Sequence, residues 1–93
     1  MNTEEIKKQF LLEGFANVYD WIDGPGKEYE EHSHKGKVSF YVVKGSILMN
    51  VNGIHTTVYA GNRFDVPEGL PHTAKVGNEG CMFVVAEEIK GDS

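Results

Sequence analysis

His32 and His34 stand two positions apart in a run of β-prone residues, and a strand's period of two points both imidazoles to one face. Such a pair is the start of a metal site. Two donors are too few for a firm one, and His72, at the head of a second β-prone run just after the Pro67-Glu68-Gly69 turn, offers the third. Imidazole suits Zn, Cu, Fe and Ni alike, so the donor type does not name the ion. The bland alternative is three histidines lining an interior without metal, satisfied by one another, by water or by a polar ligand.

Other titratable residues read less strongly. His55 follows the Asn52-Gly53 turn beside Ile54, which suits a surface or inter-subunit position. Glu30 shares the face of His32 and His34 if the strand is regular, whereas Glu31 points the other way. Even so, Glu30 reads foremost as an exposed rim charge, and Asp65 and Glu68 are weaker candidates still. Cys81 opens an apolar run, where a buried inert thiol is expected rather than a nucleophile. Phe40, Tyr41, Met49, Phe64, Met82 and Phe83 supply core or pocket wall, and alternation alone does not say which side of the Val38–Val43 run faces the histidines.

The elements that must position these groups are short. Thr3 to about Leu12 carries Ile6 and Phe10 near a helical period with Glu4 and Glu5 in the first turn, which fits a short helix or an N-terminal arm. From Phe15 onward, β-prone runs alternate with turn signals: Asn17–Ile22, Lys27–His34, Val38–Val43, Ile47–Val51, Ile54–Tyr59, Arg63–Val66, His72–Val76 and Cys81–Glu87. That makes roughly eight strands, an all-β chain of the barrel or sandwich kind. Asn52-Gly53 is the strongest hairpin signal, since both residues tolerate the positive φ of a type I′ turn.

Composition narrows the function classes. A chain of 93 residues holds one core and hardly two, which divides it into an N-terminal helix or arm over 1–14 and a single domain over 15–90. A net charge of −5 with Arg63 as the only arginine argues against a nucleic-acid surface. No apolar run approaches the length of a membrane helix, and the N-terminal residues lack the pattern of a signal peptide, so a cytoplasmic protein is expected. A lone cysteine leaves stability to packing, helped by a metal or a second subunit.

Gly26, His32, His34 and Gly45 carry a spacing that resembles the first motif of the cupins, G-x5-H-x-H-x3,4-E-x6-G. Gly61, Pro67, Gly69 and His72 resemble the second, G-x5-P-x-G-x2-H-x3-N. The resemblance spans Gly26 to Val76 and implies an all-β cupin double-stranded β-helix, a jelly-roll-like barrel, with His32, His34 and His72 as metal ligands. Two positions depart from the pattern. Val38 stands where the family has a glutamate ligand, and Val76 stands where it has an asparagine.

The resemblance therefore implies a divalent ion (Fe, Zn, Ni, Mn or Cu) held by three neutral imidazoles with open positions, a small-molecule ligand or substrate, and a homodimer. Without the carboxylate, the ion keeps its full double charge and draws anions. Three readings follow: a metal-dependent oxygenase, isomerase or lyase; a non-catalytic module that binds, senses or stores a small ligand, with an empty or weak metal site as one form; and a structural barrel with a vestigial site, which Val38 favours. Fold does not choose between them.

Overall fold

The computed structural model describes residues 2–88. The chain forms a helix α1 (Thr3–Leu12) and six strands: β1 (Asn17–Asp23), β2 (Glu28–His32), β3 (Val38–Val51), β4 (Ile54–Tyr59), β5 (Arg63–Val66) and β6 (His72–Glu87). All pairings are antiparallel, in the path β1-β6-β3-β4, with β2 added to β6 and β5 added to β3. The fold is the double-stranded β-helix expected from the motifs. The anticipated domain limit at residue 90 lies outside the described residues.

Six strands replace the eight anticipated, because two expected turns are bends within long strands. Lys44-Gly45-Ser46 does not reverse the chain: β3 runs straight through it, and β6 runs through Gly77 to Gly80. The two bends sit against each other, with Gly45 paired to Cys81 and register shifts on both sides of it. Gly45 has φ +80°, and a Cβ there would lie 2.0 Å from the Gly80 carbonyl oxygen. Glycine is thus required twice over, for the backbone conformation and for the close approach that lets paired strands turn a corner together. The hairpin signal, by contrast, marks a true turn: Asn52 (φ 51°) and Gly53 (φ 85°) join β3 to β4.

Bending resets alternation, so each long strand has a different inward set in each half. On β3, Phe40 and Val42 enter the main core before the bend, and Ile47 and Met49 after it. On β6, Cys81, Phe83 and Val85 face the same core, while Val84 and Ala86 face the opposite side. That second face is covered by α1. Asn2 caps the helix by accepting from the Glu5 amide at 2.9 Å, and Ile6 and Phe10, one turn apart, bury against Val84 and Ala86 with Tyr41 and Val43 alongside. Arg63 fixes the helix end, donating twice to Glu13 at 2.7 Å and lying over the Phe10 ring at 4.7 Å. Among the described residues no helix is long and apolar enough to cross a membrane.

Candidate metal centre

The three histidines meet at one open end of the barrel, with His32 exposed, His34 half-buried and His72 buried. Their ligand atoms all lie within 4.8 Å of one another, and they form the one such metal-capable group found among the described residues. Ring centroids are 4.3 Å apart for His32 and His72, 4.9 Å for His32 and His34, and 5.0 Å for His34 and His72.

Each imidazole arrives by a different route. His32 is the last residue of β2 and pairs directly with His72, the first of β6. His34 lies beyond the strand; its carbonyl accepts from the Gly69 amide at 2.9 Å, which ties the chain after β2 to the turn that precedes His72. The strand expected to run to His34 ends at His32, so the convergence of the two imidazoles rests on this loop contact rather than on strand parity.

Parity fails for Glu30. The β2 register shifts between Tyr29 and His32, so Tyr29 and His32, three apart, line one cavity. Glu30 is exposed and lines a separate groove with His55 and Lys75, away from the triad. Its backbone still serves the site. The His32 Nδ1 lies 2.6 Å from the Glu30 carbonyl oxygen, and the His72 Nδ1 lies 3.2 Å from that of Leu70. A carbonyl oxygen only accepts, so both Nδ1 atoms carry the proton and both Nε2 atoms keep a lone pair for a metal. Burial lowers the pKa of His34 and of His72, and the neighbouring imidazoles push the same way, which favours the neutral, ligating form of both rings. The donor set fits a divalent ion of borderline softness.

Below the histidines is a cavity of about 240 Å³, walled by Phe40, Ile47, Met49, Phe83 and Val85. The open question of which side of the third expected run faces the site is answered by the Phe40 side; Tyr41 turns to the helix. Val38 lines the cavity too, so the substituted glutamate position does face the site. Cys81 is buried in the core and its thiol is pushed up to about 11 by burial, as an inert thiol should be.

Among the lining residues with polar side-chain atoms, four were not foreseen: Tyr19, Trp21, Tyr29 and Glu87. Tyr19 donates to Glu87 at 3.0 Å and Tyr29 to Asp23 at 2.5 Å. Both phenols are pushed up to about 12, by burial first and then by those carboxylates, so they remain protonated donors. Only Glu87 left a usable sequence signal, since it shares the parity of Phe83 and Val85. Two larger hollows, about 550 Å³ beside Arg63 and about 700 Å³ beside Lys75, hold no comparable donor cluster among the described residues.

Comparison with known proteins points the same way. The family model described as "Cupin domain" matches residues 20–87. An RmlC-like cupin from Shewanella frigidimarina is 27% identical with a TM-score of 0.67, covering 81% of this chain and 68% of its own. A protein with a double-stranded β-helix domain from Klebsiella pneumoniae is 29% identical with a TM-score of 0.69, covering 82% and 69%. Bacillus subtilis oxalate decarboxylase, described with Mn(II) centres, is 27% identical with a TM-score of 0.71 over 82% of this chain but only 22% of its own length. No curated protein sequence matches.

Proposed function

Because this chain belongs to the cupin domain family, we propose that it holds one divalent metal on His32, His34 and His72 and binds a small molecule in the cavity beside it. The observation that carries this reading is the convergence of three imidazoles, two of them with Nδ1 committed to backbone carbonyls. Mn(II) is a reasonable first ion to test, given the likeness to a chain described with Mn(II) centres; Fe, Zn, Ni and Cu suit the same donors or their geometry. When bound, such an ion supplies Lewis-acid or redox chemistry at coordination positions that the protein leaves open.

The chain's own contribution is the pocket. Its volume of about 240 Å³ suits a ligand of few heavy atoms, its walls are largely apolar, and Tyr19 and Tyr29 stand at one side with their protons given to Glu87 and Asp23, which leaves each hydroxyl an acceptor for a ligand. These features suit orientation of a small, partly polar molecule, in an oxygenase, isomerase or lyase as well as in a module that only binds. A cytoplasmic homodimer is the setting we favour: Cys81 is free, and Trp21 and Ile22 on β1 stay exposed at 48% and 70%, apolar surface that a second copy would cover.

Metal analysis of tag-free protein tests the reading. Stoichiometric metal, lost in His32→Ala and His72→Ala, supports it; no bound metal together with no rise in melting temperature on adding any of the five ions would sink it. Turnover of small thiols, diketones, phenols or sugars only in the metal-loaded form would then mark an enzyme, and ligand binding without turnover a module.

A further inference from the structure

Val38 removes the carboxylate that a cupin of the usual pattern places beside its histidines, yet the cavity is not without one. Glu87 lines it as well, and in the sheet Glu87 of β6 is the direct cross-strand partner of Val38 of β3. Directly paired residues project to the same face with their Cβ atoms about 5 Å apart. The carboxylate has therefore moved one strand sideways.

It is also held. Its two oxygens accept from the Asn17 amide at 2.9 Å and the Tyr19 hydroxyl at 3.0 Å, and Asn17 is its partner on the other side, in β1. Both donors are neutral, so nothing in the pair of bonds cancels the charge. Among the described residues, no lysine or arginine lines this cavity. Glu87 does not belong to the group of converging ligand atoms, which places it as an outer partner rather than as a fourth ligand.

We propose that Glu87 replaces the missing glutamate from outside the coordination sphere, as a fixed carboxylate that offsets the ion's charge and accepts a hydrogen bond from a water or hydroxyl-bearing molecule on the metal. This rests on the three-histidine reading and deepens it. A centre of three neutral imidazoles alone would carry the full double charge and favour anionic ligands. With Glu87 beside it, the pocket selects neutral molecules that bring an O–H or N–H donor.

Co(II) is a suitable probe, because its visible absorption reports both metal uptake and the binding of azide to the metal. Outer partners of this kind are worth about 10- to 100-fold in metal affinity. Glu87→Gln should weaken Co(II) binding about tenfold and tighten azide on the Co(II) form about fivefold, since one fixed negative charge is gone. Glu87→Asp, which keeps the charge, should bind Co(II) within about threefold of the parent. Opposite shifts in the Gln variant separate an electrostatic role from simple damage to the fold, which would lower both affinities. Co(II) and azide affinities unchanged in Glu87→Gln, or both reduced, would overturn this proposal and leave the three-histidine site standing. Failure of the parent protein to take up Co(II) would overturn both.

Discussion

His72 is buried, with Nδ1 bonded to a backbone carbonyl and Nε2 left with a lone pair, so under the proposed reading its replacement by alanine removes one of the three ligands. Isothermal titration should show at least about a 100-fold loss of metal affinity in His72→Ala, beyond what outer partners contribute, whereas His55→Ala, exposed and outside the cavity, should bind as the parent does. Phe40 does a different job. It is buried, stacks on Phe64 at 5.7 Å and forms cavity wall. Phe40→Ala should cost about 3–5 kcal/mol in denaturant unfolding, as large core aromatics do. Cys81 offers a simple check on the core: buried and pushed up to about 11, it should resist a thiol reagent in the native protein at pH 8 and react at once in guanidinium chloride.

The bent strands and the helix clamp carry the element-scale expectations. Gly45→Ala puts a Cβ 2.0 Å from a carbonyl oxygen at φ +80°, neither of which a side-chain adjustment can relieve, so it should destabilise by about 3 kcal/mol or more. The clamp is milder. Arg63 and Glu13 are each about a third exposed, at 33% and 31%, so solvent screening limits their pair to about 1 kcal/mol or less. Hydrogen bonds from Arg63 hold the Glu13 carboxyl down at about 2 against an ordinary 4.5. A depressed acid stabilises above its unfolded value, so this contribution is complete above about pH 4.5 and is lost as pH falls towards 2. Melting curves of Glu13→Gln should accordingly lie below the parent near neutrality and converge on it in acid. These elements also show where the sequence was readable. Asn52-Gly53 signals a reversal because both residues tolerate positive φ, and the chain reverses there; Ile6 with Phe10 mark the buried helix stripe. Lys44-Gly45-Ser46 looks like a turn because glycine serves a bend and a reversal alike, and only the partner strand at Gly80 decides which. Likewise the Tyr29 to His32 register shift leaves no mark in the residues themselves, so the condition of a regular strand fails for Glu30, while its reading as an exposed rim charge holds.

For the molecule as a whole, the motif spacing made the family and the triad legible, while the cavity rim was not, since Tyr19, Trp21 and Glu87 reach the site only through pairing of β1 and β6. A ligand that binds only the folded state stabilises by about 2.7 kcal/mol at a hundredfold excess over its dissociation constant. In a domain of this size each kcal/mol moves the midpoint by about 4–8 °C. Saturating metal should therefore raise the melting temperature by about 10–20 °C, and a chelator should reverse it. The proposed homodimer predicts a sedimentation mass near twice 10.3 kDa at micromolar concentration; a monomer would contradict it. The central claim is that His32, His34 and His72 hold one divalent ion, and anomalous scattering at the metal's absorption edge tests it most directly. In a crystal grown with Mn(II) or another candidate ion, the account predicts a single strong peak at bonding distance from all three imidazoles. A map without a peak among them, or with its strongest peak at His55 or another surface group, would contradict it.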